Sequence, residues 1–200
     1  MKAFKYIMVA LLLSSTAFLA QTNWKVDASH TNVGFEVEHM LIATVEGEFT
    51  KFDGTIETNG DDFTEATIDF TIDVNSISTD NEDRDGHLKS DDFFNAEKFP
   101  QIKFKSKSMT KAEGKMWKLV GDFTMRDVTK EIELDVKFRG LVNDPWGNTR
   151  VGFEISGEVN RFDYNLKWNN LLETGGLVVG DMVALDIDLE LIKSVEKSDK

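Results

Sequence analysis

The densest group of chemically capable side chains lies between Asn81 and Pro100, in the stretch NEDRDGHLKSDDFFNAEKFP. Asp83, Arg84, Asp85 and His87 fall within one short segment, and Asp91, Asp92, Phe93 and Phe94 follow closely. Two roles fit Arg84, Asp85 and His87. They could meet the polar head of a ligand at the mouth of a cavity. Alternatively, Arg84 could grip a carboxylate through two parallel hydrogen bonds and fasten a short helix, with Phe93 and Phe94 as hydrophobic pegs. The residues themselves favour the clamp, because a buried charge generally needs a partner.

Other chemistry finds little support. The three histidines, His30, His39 and His87, match none of the close-spaced zinc patterns, and there is no cysteine to join them. No Gly-x-Ser-x-Gly elbow is present, and Gly175-Gly176 lacks the rest of a phosphate-binding loop. Carboxylates abound, but on alternating strands they form a solvated face. No catalytic residue, metal or cofactor is therefore expected.

The elements that must position any site read as β-strands. Ile68, Phe70, Ile72 and Val74 alternate with Thr67, Asp69, Thr71 and Asp73; Ile132, Leu134, Val136 and Phe138 alternate with Glu131, Glu133, Asp135 and Lys137. Val183, Leu185, Ile187, Leu189 and Leu191 repeat the pattern. One apolar and one charged face mark half-buried antiparallel strands. Weaker versions at Val33–Val37, Phe49–Ile56, Ile102–Lys107, Met116–Thr124 and Val151–Val159 bring the expectation to about eight. Asn59-Gly60, Glu113-Gly114 and Asp144-Pro145-Trp146-Gly147 supply turns. Short helical turns fit only near His39–Thr44, Arg84–Phe94 and Arg161–Leu166. Such an all-β chain can form a sandwich or a closed barrel, filled or hollow, and periodicity does not choose.

At the N-terminus, Lys2 and Lys5 precede an apolar run and then small residues. This is the order of an export leader, too short to span a bilayer. The expectation is a signal peptide over 1–20, cut after Ala17 or Ala20, one domain over 21–193 and a frayed tail over 194–200. Loss of the leader takes the formal charge from -13 to -15. Such acidity disfavours nucleic acid and anionic membrane surfaces, and no stable membrane insertion is expected. Without cysteines, an exported fold must hold by its core alone.

Several motifs, in order, carry a family resemblance. They are Trp24 to Thr31 (WKVDASHT), Phe35 to His39, Val45 to Phe49, Ser76 to Thr79, Arg84 to Leu88 with Asp92-Phe93-Phe94, Phe99 to Phe104, Gly121 to Thr124, Val128 to Lys130, Asn160 to Asp163 and Gly180 to Val183. Over Trp24 to about Ile192 the chain resembles the YceI family of polyisoprenoid-binding periplasmic proteins. It departs at Asp127, where glycine is usual, and at Asn165, where Phe-Gly is usual after Asp163. Both residues tolerate left-handed backbone and read as turn replacements.

The resemblance implies an eight-stranded antiparallel lipocalin-like barrel with short helical segments and an apolar interior. It implies binding, storage or transport of an isoprenoid lipid, a polyprenyl phosphate or quinone-like molecule, in the periplasm or after secretion. On that reading Phe35, Val37, Phe49, Phe70, Ile72, Phe104, Phe123, Leu134, Val136, Phe138, Phe153, Ile155, Leu185 and Ile187 line the cavity. Two other readings stand beside it. One is a filled barrel, stress-related, acting through a protein partner; the other is a prenyl-pyrophosphate hydrolase using Arg84, Asp85 and His87. The oligomeric state is left open, a dimer included.

Overall fold

The computed structural model describes residues 21–173 and 176–194. The expected leader and residues 195–200 of the expected tail lie outside them. Ser194, the first tail residue, still bonds through its N–H to the Asn23 carbonyl at 2.8 Å.

The described residues form strands β1 (Gln21–Val26), β2 (Asn32–His39), β3 (Ala43–Phe49), β4 (Phe52–Asn59), β5 (Asp62–Asp73), β6 (Ile77–Ser78), β7 (Gln101–Lys111), β8 (Met116–Met125), β9 (Val128–Asn143), β10 (Thr149–Asn160) and β11 (Val179–Lys193). Helix α1 (Glu82–Lys89) and two 3-10 turns, Val74–Ser76 and Arg161–Tyr164, interrupt them. Pairing runs β1–β4–β5–β7–β8–β9–β10–β11 and back to β1, all antiparallel. The ring is closed with eight strand positions, and closure removes the exposed edges that invite aggregation.

Three positions hold two strands each. β11 pairs with β1 through Leu191–Lys193 and with β2 through Val179–Asp188; β3 then pairs with β2, and β6 with β3. The break between β1 and β2 is an Asp27-centred turn. Its carboxylate accepts from the Ser29 N–H and hydroxyl, at 3.1 and 2.6 Å, and bonds His30 Nδ1 at 2.9 Å. The expected strand Phe49–Ile56 is in fact the end of β3 and the start of β4, separated at Thr50-Lys51. The expected helical turn at His39–Thr44 is instead a tight β2–β3 hairpin, with Met40 and Leu41 at φ of 53° and 62°. Of the two turn departures, Asn165 does adopt left-handed backbone, at φ 64°. In the other turn that conformation falls on Arg126 (φ 53°), and Asp127 instead accepts a hydrogen bond from the Asn165 side chain.

Alternation is clearest in β8, where Trp117, Leu119, Gly121, Phe123 and Met125 are buried and the residues between them are not. The charged face is laced by ion pairs, among them Lys118 with Glu133 and Asp135 and Lys107 with Glu131. Each is exposed and individually worth little. Asp69, Glu133, Asp186 and Asp188 are exposed, while Asp73 caps the first 3-10 turn and Asp135 sits half-buried beside Lys118. Ile72, Leu134 and Val136 are buried inside; Phe70, Leu185 and Ile187 face inward but remain half-buried.

The two ends of the barrel differ. At one, Trp24, Phe63, Phe153, Trp117 and Phe138 form a chain of ring contacts with centroids 5.0 to 6.3 Å apart. Trp24 is anchored there by its indole N–H on Thr58 Oγ1 at 2.8 Å. We call this the base. At the other end, α1 and the segment to Phe99 lie with residues 161–172 as a cover.

Candidate functional site

Between base and cover the interior is not filled. An outer cavity of about 100 Å³ lies beneath Leu88, Phe93, Phe94 and Leu166 of the cover. Its walls include Val33, Phe35, Val37, Phe49, Ile102, Met125, Val159, Val179 and Val183. An inner cavity of about 80 Å³ lies deeper, among Ile68, Phe70, Phe104, Leu119, Ile132, Leu134, Ile155 and Leu189. Ile72, Phe123, Leu185 and Ile187 border both, so the two lie in series along the bore. Both are lined almost wholly by carbon.

Of the fourteen positions named from the sequence, Phe35, Val37 and Phe49 line the outer cavity, and Phe70, Phe104, Leu134 and Ile155 the inner one. Ile72, Phe123, Leu185 and Ile187 line both. Val136, Phe138 and Phe153 line neither. They are on the inward phase but at the level of the base, where Phe153 touches Phe63, Trp117 and Phe138 and Val136 has no exposed surface. Period two identifies the inward face; it carries no information on depth along the bore. A Val136→Trp substitution is accordingly expected to overpack the base and cost about 1–3 kcal/mol. It should appear as a lower urea midpoint with unchanged slope; a wild-type midpoint would mean the base has room.

Inward glycines help hold the bore open. Gly47, Gly54, Gly121 and Gly157 each have a large neighbouring side chain where a Cβ would stand: Phe35, Phe70, Phe104 and Leu134 respectively. All four neighbours line a cavity. Glycine weakens a strand unless something approaches it closely. Here the large side chain lies back against the wall instead of crossing the bore.

The polar groups singled out in the sequence lie in the cover, not in the cavities. Arg84 donates from Nε to Thr79 Oγ1 (2.7 Å) and from Nη2 to the Thr79 carbonyl (2.6 Å), and Asp85 accepts from the Thr79 N–H and hydroxyl. The expected carboxylate partner for Arg84 is thus replaced by one threonine, which Arg84 and Asp85 grip together. Asn81 caps the helix by accepting from the Arg84 N–H. His87 Nε2 bonds Asp92 at 2.9 Å, and its ring meets Phe93 and Trp168 edge-on.

Two arginines bind the cover to the barrel. Arg126, in the β8–β9 turn, donates to the carbonyls of Phe93 and Asn165 at 2.6 and 2.9 Å. Arg161, 2 % exposed, donates to the carbonyls of Leu166, Trp168, Val179 and Gly180 at 2.7 to 3.0 Å and lies over the Phe162 ring. Burial lowers its pKa, partly offset by the charge of Asp181. Alternation did not reveal this residue, since it begins a turn beyond β10; an arginine beside apolar Phe162 was the available signal.

Among the described residues, Asp27, His30 and Glu190 bring ligand atoms within 4.8 Å of one another, as a metal site would. The Arg150 guanidinium occupies that place, bonding Asp27 (2.6 Å) and Glu190, with Asp144 on its Nε at 2.7 Å. Ser29 is the largest cause holding the Asp27 carboxyl well below its ordinary 3.8, joined by His30 and Arg150 against the effect of burial. For Asp144, burial raises the pKa, but Arg150, Asn148 and the backbone of Asn148 and Trp146 outweigh it and hold the carboxyl well below the usual range. A depressed carboxylate stabilises the fold above its unfolded value and loses that contribution as pH falls through the folded one. The thermal midpoint should therefore decline as pH falls below about 4. Arg150→Met should flatten that decline, and an unchanged profile would deny the cluster its role.

A model of the YceI-like domain matches residues 24–191. The chain belongs to the YceI-like family. UPF0312 protein SA2479 of Staphylococcus aureus (strain N315) is 37 % identical over 170 residues, spanning 84 % of this chain and 96 % of that one. A Campylobacter jejuni YCEI protein of known structure is 29 % identical, with a TM-score of 0.66 over 84 % of this chain and 96 % of its own. Two more distant structures share the fold. Burkholderia cenocepacia BcnA has a TM-score of 0.71 at 20 % identity, covering 82 % of this chain and 98 % of its own. A polyisoprenoid binding domain from Saccharophagus degradans has 0.66 at 17 %, covering 86 % and 98 %. Within this YceI-like barrel, most of the motifs that carry the resemblance lie on strands β2, β3 and β6 to β9 and on β11, and the others fall in the cover, in the β1–β2 turn and at Arg161.

Proposed function

We propose that this YceI-like protein binds an isoprenoid lipid by its apolar tail inside the barrel, as a periplasmic or secreted carrier or store and not as an enzyme. The observation that carries the reading is the pair of cavities in series, bounded by hydrocarbon and backed by inward glycines. A buried methylene gains about 0.8 kcal/mol over water, so such a space favours a branched hydrocarbon chain without any reacting group. The polyisoprenoid binding domain of the same fold supports the choice of ligand. Arg84, Asp85 and His87 are engaged with Thr79 and Asp92, which supports the clamp over a hydrolytic role. The leader-like N-terminus supports export.

Purification of the protein from the periplasm or medium of its own host tests both parts at once. The native mass is expected to exceed the polypeptide mass by a prenyl lipid, and the first residue to fall between 18 and 21. An apo mass, together with no uptake of added prenol, would remove the lipid reading. An intact Met1 would remove export.

A further inference from the structure

Resting on that reading, in which the tail occupies the bore, we infer that the bore reads the length of the tail against the aromatic base and is indifferent to the head group. Among the described residues the walls contain one charged side chain, Arg161, and four of its N–H donors are spent on backbone carbonyls. A phosphate or quinone oxygen carried inside would lose water and find no replacement partner, a large penalty for a neutral polar group and a larger one for a charge. The head therefore stays at the covered end.

The far end is shut. Trp24, Phe63, Phe153, Trp117 and Phe138 contact one another across the base, with Val136 buried beside them, so a chain cannot thread through. The space already open, about 100 and 80 Å³, is close to that of an engineered cavity of roughly 150 Å³ that holds benzene. It accepts about seven carbons, between one and two isoprene units. Further units need the cover to lift at Leu88, Phe93, Phe94 and Leu166, and units beyond the rim stay outside.

Two titrations of the whole mature protein, followed by tryptophan fluorescence, test this. In the first, geraniol, farnesol, geranylgeraniol and a nonaprenol are compared. Affinity is expected to rise roughly tenfold or more per isoprene unit while the chain is entering the bore, and less than about threefold per unit thereafter. Leu119→Phe, at the inner cavity, should bring that levelling about one unit earlier. In the second, farnesol and farnesyl phosphate should bind within about threefold of each other. A preference beyond about tenfold for either head, or no levelling with length, would overturn the inference and leave the lipid-binding reading standing. Absence of binding by every prenol would overturn both.

Discussion

Gly54→Val is expected to fold normally and to lose at least about tenfold in prenyl-lipid affinity. A Cβ at Gly54 would stand 2.6 Å from Cδ2 of Phe70 and 3.2 Å from its Cε2, with only ordinary contact to Val26. The ring is the part able to move, and the space open to it is the inner cavity it already borders. Stability should change by no more than about 1 kcal/mol, because a β-branched residue suits a strand and the displaced ring fills a void. The double variant Gly54→Val with Phe70→Ala should regain uptake, since the side chain that obstructed the bore is gone. If the single variant takes up lipid as well as wild type, Phe70 does not gate the inner cavity and the glycine has another cause.

The second large effect is expected at Arg161. Arg161→Met keeps the apolar stem and removes the guanidinium that holds four carbonyls from two segments, Leu166 and Trp168 in the cover and Val179 and Gly180 in β11. Buried acceptors left without donors cost about 1–3 kcal/mol each, moderated by relaxation and entering water, so a net loss of about 3–5 kcal/mol is expected. Chemical denaturation reads it directly. Arg161→Lys should recover less than half, because a compact ammonium with three donors does not reproduce a planar fork reaching four acceptors. Hydrogen exchange should rise first in residues 161–172. A loss below about 1 kcal/mol in the methionine variant would mean the carbonyls are satisfied by other means.

How far such results could be anticipated from the sequence differs between elements. The inward phase of β5, β9 and β11 was legible because each carries a long run of alternating apolar and charged residues, and one face of a strand follows from period two. β3 was hidden because Gly47 occupies an inward position and breaks the apolar count, and β6 because two residues are too few to show a period. The acidic charge and the absence of cysteine were likewise read from composition, which needs no geometry. The family motifs named the fold class; alternation alone left sandwich and barrel equal, because both present the same two faces.

Only the tertiary structure decided depth. Phe70 and Phe153 look alike in sequence, each an inward phenylalanine on an alternating strand, yet one borders a void and the other fills the base. The difference lies in what each ring meets: Gly54 on the adjacent strand and the inner cavity for Phe70, and Phe63, Trp117 and Phe138 for Phe153. Likewise Arg84 and Arg161 are both arginines within family motifs. One clips a helix to Thr79 at the surface and the other is buried among carbonyls from two separate segments. Local sequence sets which way a side chain points, through backbone periodicity. How much space it meets there depends on strands distant in the chain, whose neighbours are chosen only when the sheet closes on itself.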